Sequence, residues 1–175
     1  MIYIPQVEPV LNLEVINRIQ SRTAITNPKA VVQSLGELAL MKPYEQSFAL
    51  FLDGGLHPIA TICCGQGTPC RTLIDLQTIV SSALLLCSKA VIIVHTHPAG
   101  CQTEQPSTAD IKTTEDLLEK FRWFGITLVD SFILLHCADD QDGVSYISIL
   151  DWIKAHENNT KNNEPTEEVP EVAMI

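Results

Sequence analysis

Apolar residues in this chain fall into short runs separated by polar, glycine and proline breaks, and the period within each run predicts an element. Ala90-Val91-Ile92-Ile93-Val94 is continuous and of strand length, which predicts a central strand buried on both faces. Residues 47–52 and 58–64 flank Asp53-Gly54-Gly55 and predict two strands joined as a hairpin. Asn27-Pro28 predicts a helix start, with Asn27 as cap and Pro28 in the first turn. Val31, Leu35, Leu38 and Met41 give that helix its apolar stripe, and Lys42-Pro43 ends it. Residues 75–88 predict a helix apolar nearly all round and therefore buried, and residues 107–124 predict the next helix. Residues 126–129, 132–137 and 144–149 predict three closing strands, with loops at 65–71 and a turn at 139–143. Residues 1–22 alternate only weakly and read as an edge strand or short helix. Strands interleaved with helices make this an α/β chain, with helices on the faces of a sheet.

The expected organisation is an N-terminal edge segment over residues 1–26, a domain over 27–155 and a disordered acidic tail over 156–175. With 46% apolar residues in a chain of 175, one sizeable core is affordable. Nothing resembles a secretory leader, and no apolar run approaches the ~20 residues a spanning helix needs. A cytoplasmic setting is the expectation. Cys63, Cys64, Cys70, Cys87, Cys101 and Cys137 form no Cys-x-x-Cys pair and read as thiols. The net charge is −10. In the tail, five glutamates oppose Lys161 for a net −4, which leaves −6 on the body. Basic residues are scattered, so direct nucleic-acid binding is not expected.

Chemistry concentrates after the central strand, in His95-Thr96-His97-Pro98 followed by Ser107-Thr108-Ala109-Asp110. Residues i and i+2 of a strand share a side, ~6.5–7 Å apart, so two imidazoles can lean onto one cation. Asp110, arriving on a new helix, can supply a third ligand and leave one position open for water, the arrangement of a catalytic zinc. Ser107-x-x-Asp110 also reads as a helix cap with no metal role. Iron and manganese stay open on ligand type alone.

The combined pattern resembles the JAB/MPN+ metalloproteases, and more narrowly the RadC-like JAB domains with their His-x-His-Pro-x-Gly opening. Thr114 and Leu117 follow Asp110 at the family's spacing; Gly125-Ile126-Thr127-Leu128-Val129-Asp130 and Val144-Ser145-Tyr146-Ile147-Ser148 match two further segments. Tyr44-Glu45-Gln46-Ser47-Phe48 falls where the family keeps an acidic residue. The resemblance spans roughly residues 27–153. Two departures stand out. Twelve residues separate His97 from Asp110 where the family usually has ten, the surplus lying in 101–105. Asp75-Leu76-Gln77-Thr78 replaces a His-Pro-Arg-Glu-like stretch.

The resemblance implies a curved mixed sheet flanked by helices and one Zn2+ per chain, held by His95, His97 and Asp110. It implies Glu45 as the proton-transferring acid and Ser107 as donor to the oxyanion. The activity implied is hydrolysis of a peptide or isopeptide bond in a peptide or protein substrate. Read without it, Glu45 is an exposed acid at a helix–strand junction and Ser107 a cap worth about 1 kcal/mol. Two other classes compete. One is a non-catalytic MPN-type binding module, which needs none of these side chains. The other is a DNA-repair accessory, which the acidic charge opposes, as does the lack of room for a helix-hairpin-helix region. A homo-oligomer is compatible with the pattern, and residues 149–154 are the segment expected to dock on the core or on another subunit.

Overall fold

A computed structural model describes residues 23–32, 35, 44–67, 74–97, 105–136 and 144–161. Five strands, β1 (Gln46–Leu52), β2 (Pro58–Gln66), β3 (Ala90–His97), β4 (Thr127–His136) and β5 (Val144–Ser148), form one sheet. Its order is β2-β1-β3-β4-β5. β3 and β4 run parallel and every other pair is antiparallel, so the sheet is mixed. Helix α1 (Leu76–Leu85) precedes β3, α2 (Thr108–Trp123) crosses from β3 to β4, and α3 (Ile149–Lys161) follows β5. The class is the expected one: α/β, a mixed sheet flanked by helices.

Alternation along the strands separates two cores. Ala49, Phe51, Val91 and Ile93 face Ile79, Val80 and Ala83 of α1 and Leu117 and Phe121 of α2. Phe48, Leu50, Leu52, Ile92, Val94, Phe132 and Leu134 point the other way, onto Ile25, Val31 and Leu35 near the N-terminus. Residues 28–32 and 35 are helical there. Asn27 caps them as predicted, its Oδ1 accepting from the Ala30 amide at 3.0 Å. Leu38, Met41, the 1–22 segment, the 139–143 turn and Cys70, Cys101 and Cys137 lie outside the described residues. Cys63, Cys64 and Cys87 are free thiols.

Several boundaries correct the sequence expectation. The strands expected at 126–129 and 132–137 are one strand. β4 takes up the polar Asp130-Ser131 step by bulging: Leu128 pairs with Val91 while Asp130 pairs with Ile92, leaving Val129 as the extra residue. The last strand ends at Ser148, and Ile149 already belongs to α3. That helix continues past His156 to Lys161, so the expected tail disorder does not begin at 156; residues 162–175 lie outside the described residues. Helix α1 is not buried all round. Ile79, Val80 and Ala83 are buried, but Leu84 and Leu85 are 51% and 64% exposed, because only one stripe of a helix can face a sheet. The hairpin does turn at Gly54-Gly55. Asp53 Oδ1 accepts from the amides of Gly55 (2.8 Å) and His57 (2.9 Å), and the left-handed residue is Leu56, at φ 62°.

Asp130 earns its place in β4 by starting α3. Its Oδ2 accepts from Ser148 Oγ at 2.7 Å, and its Oδ1 from the amides of Ser131 (2.7 Å) and Leu150 (3.4 Å). Ser148 Oγ in turn accepts from the Asp151 amide at 3.1 Å. Burial still raises the Asp130 pKa above the ordinary carboxylate value, against the lowering effect of these donors.

Asp130→Ala strands those donors and should cost about 1–3 kcal/mol in urea denaturation, whereas Asp130→Asn, which keeps an acceptor, should cost less. The pH dependence has a definite sign. A raised carboxyl binds its proton more tightly in the folded chain. Its favourable contribution is therefore present below the unfolded value of 3.8 and is lost as pH rises through the folded value. Wild type should lose stability relative to Asp130→Asn between about pH 3 and 6, and a constant difference would reject this account.

Candidate metal centre

The strand face that carries Val91 and Ile93 into the core carries His95 and His97 beyond it, at the C-terminal end of β3. The two rings lie 5.2 Å apart between centroids, tilted by 53°. His95 is buried and His97 nearly so. Thr96, between them, points to the opposite face. Its hydroxyl accepts from the Gln46 amide at 3.0 Å, and the bond fixes the start of β1 against the end of β3, a structural role.

Helix α2 begins above this strand end because β3 and β4 are parallel and the connection must cross the sheet. Its first turn is a capping box. Ser107 Oγ accepts from the Asp110 amide at 3.2 Å, and Asp110 Oδ2 accepts from the Ser107 amide at 2.9 Å and its hydroxyl at 2.7 Å. Oδ2 is thereby committed to the cap. Oδ1 is not, and lies 3.4 Å from His95 Nε2. The cap thus occupies one oxygen of the carboxylate, and the other is left facing His95. The longer connection after His97 leaves this approach intact, although residues 98–104 lie outside the described residues. Thr114, one turn after Asp110, is buried on the same helix.

Glu45 reaches the site from the neighbouring strand. β1 pairs with β3 through Ser47↔His95, so two more antiparallel steps set Glu45 across from His97. Its Oε1 lies 3.9 Å from His97 Nε2. The Gly67 amide donates to its carbonyl at 3.0 Å. The exposed acid that the sequence suggests without the family resemblance is in fact 6% exposed. Burial, and secondarily the charge of Asp110, raises its pKa above the ordinary glutamate value.

One nitrogen of His95, one of His97 and one oxygen of Asp110 lie within 4.8 Å of one another. Two tests support a cation among them. Ligands ~2.0–2.1 Å from a tetrahedral centre lie ~3.3–3.4 Å apart, which the 3.4 Å between His95 and Asp110 meets. In addition, His95 Nε2, the nitrogen 3.4 Å from Asp110 Oδ1, is buried without a hydrogen-bond partner. The 3.4 Å contact is thus a shared approach to one point and not a hydrogen bond. Burial lowers the His95 pKa to about 4 against the attraction of Asp110, with His97 adding a smaller lowering effect. It lowers that of His97 as well. Both rings are therefore held neutral, the form that binds metals.

Sequence reasoning passed over one neighbour. Ser47 is fully buried, directly across the ladder from His95, and its hydroxyl has no hydrogen-bond partner. Its signal was the two-residue spacing from Glu45, which puts both on one face of β1.

Among known proteins, the family model of the RadC-like JAB domain matches residues 25–149. A UPF0758 protein of Herminiimonas arsenicoxydans is 31% identical over 132 residues, covering 74% of this chain and 58% of the relative. One from Bordetella avium is 34% identical over 116 residues (65% and 49%), and one from Xanthomonas campestris 30% over 123 (70% and 54%). The chain thus spans about half the length of these relatives. The match covers all five described strands and both the His-x-His and Ser-x-x-Asp segments, and the chain belongs to the RadC-like JAB domain family.

Proposed function

We propose that this chain is a zinc-dependent amide hydrolase acting on peptide or isopeptide bonds. The observation that carries the reading is the buried, unpartnered His95 Nε2 3.4 Å from Asp110 Oδ1, with ligand atoms of His95, His97 and Asp110 within 4.8 Å of one another and the buried Glu45 carboxylate 3.9 Å from His97 Nε2. A bound divalent cation supplies the Lewis acidity that lowers the pKa of water from 15.7 toward about 7 and polarises a carbonyl. Zinc suits two imidazoles and one carboxylate.

The protein's own groups divide the remaining work. Glu45, buried and with heightened proton affinity, takes a proton from the attacking water. The water oxygen bonds to the carbonyl carbon, the C–N bond breaks, and Glu45 returns the proton to the departing amine. Ser107 stabilises the negative charge that develops on the carbonyl oxygen. Its hydroxyl donates to Asp110 Oδ2 at rest, so it must exchange that acceptor for the substrate oxygen. The cap survives the exchange, because the Ser107 amide continues to hold Oδ2. The substrate is a peptide or protein chain. No helix among the described residues is long and apolar enough to cross a membrane.

Elemental analysis of the purified full chain should find about one zinc per chain in wild type and a large loss in His97→Ala. Wild type without metal would reject the reading. Glu45→Gln should retain zinc and lose release of new amines from a peptide mixture; undiminished release would remove Glu45 from the reaction. Ser107→Ala should lower turnover by about 10²–10³-fold while lowering stability by only about 1 kcal/mol. Losses in turnover and stability of equal size would leave Ser107 with the cap alone.

A further inference from the structure

The ladder gives His95 two lateral neighbours. Across β1 it meets Ser47, and across β4 it meets Ile133. Paired residues on adjacent strands share a face, with Cβ atoms about 4.5–5.5 Å apart. Ile133 is fully buried and offers no polar atom. Ser47 is equally buried and offers a hydroxyl that bonds to nothing. Such a group has lost its water without gaining a partner, which is unfavourable and rare in native interiors. Serine is moreover out of character on this face of β1, where Ala49 and Phe51 continue into the apolar core.

His95 presents the complementary need. Its Nε2 faces Asp110 Oδ1, so a cation held there takes that nitrogen and leaves the ring proton on Nδ1. A ligating imidazole is ordinarily oriented by an acceptor for its second nitrogen, commonly a carboxylate, carbonyl or water. Asp110 cannot serve, since its oxygens are divided between the cap and the site. We propose that Ser47 is the positioning residue of the centre: its hydroxyl accepts the Nδ1 proton of His95 when the site is loaded, and so fixes the tautomer and the ring plane. This role rests on the metal-centre reading above, and its failure is separable from that reading's.

The test compares the full-length wild type with Ser47→Ala, each stripped of metal and titrated with zinc against a competing chelator. Removing an orphaned buried hydroxyl should leave the metal-free melting temperature as high as wild type or higher, while zinc affinity falls by about 10–100-fold. In zinc-loaded protein, nitrogen-15 NMR should show a slowly exchanging Nδ1 proton on His95 that Ser47→Ala loses. Equal zinc affinity in the two proteins overturns the role of Ser47 and leaves the centre standing. Wild type that takes up no zinc overturns both. Parallel loss of metal-free stability and affinity makes Ser47 a packing residue and also overturns the proposal.

Discussion

The carboxylate of Asp110 is the group on which the site depends, because its two oxygens are spoken for by different parts of the chain. Oδ2 closes the first turn of α2 through the Ser107 amide and hydroxyl. That bond pair sets the side-chain rotamer, and the rotamer delivers Oδ1 to within 3.4 Å of His95 Nε2. A helix start leaves backbone amides without intrahelical partners, so a capping acid there is favourable on its own account. The fold therefore holds Oδ1 beside His95 with interactions that stabilise the helix anyway.

The second constraint is register. Ser47↔His95 fixes which β1 residues share the face with the histidines, and a slip of one residue would exchange Glu45 and Ser47 for Gln46 and Phe48. Two features pin it. One is the Gln46 amide bonded to the Thr96 hydroxyl, a side-chain contact in place of a ladder bond. The other is the separation of the two cores, since the same slip would turn Ala49 and Phe51 away from α1 and α2. Packing energy spread over the whole sheet thus defends the placement of a few polar groups at its end.

This division explains what could be read from the sequence. His-x-His at a strand end and Ser-x-x-Asp at a helix start are local patterns whose geometry follows from the 2.0 and 3.6 periods, so both were legible. Their meeting was expected too, from a strand end followed by a new helix start, and the parallel crossover from β3 to β4 is what brings Asp110 to His95. Glu45 was found only through resemblance, since its partner His97 lies far along the chain and nothing local marks it as buried. Ser47 was masked for a related reason: a serine in a strand normally reads as the solvent side of the alternation, and its spacing from Glu45 tells only once Glu45 is known to be buried. The apolar excess of α1 was over-read, because Leu84 and Leu85 extend the hydrophobic run without extending the buried stripe. The break expected inside β4 failed because Asp130 found donors in Ser131, Ser148 and Leu150 that a one-dimensional pattern does not display.

The polar cluster also weighs between an enzyme and a passive scaffold. In a scaffold, the cheapest occupants of this face would be apolar, continuing Val91 and Ile93 on β3 and Ala49 and Phe51 on β1. Here the same face ends in Ser47, His95 and His97, with the Ser47 hydroxyl and one nitrogen of each ring buried and unpartnered. Each such group costs about 1–3 kcal/mol, so together they consume an appreciable part of the 5–15 kcal/mol by which a domain is ordinarily stable. Burial also keeps both imidazoles neutral and raises the proton affinity of Glu45, neither of which helps a surface that only docks. A cation held between His95 Nε2 and Asp110 Oδ1 would recover part of that deficit, which would couple occupancy of the site to stability of the fold. The arrangement is therefore unfavourable for a passive scaffold, and it sets a buried acid beside two neutral imidazoles and the free oxygen of Asp110.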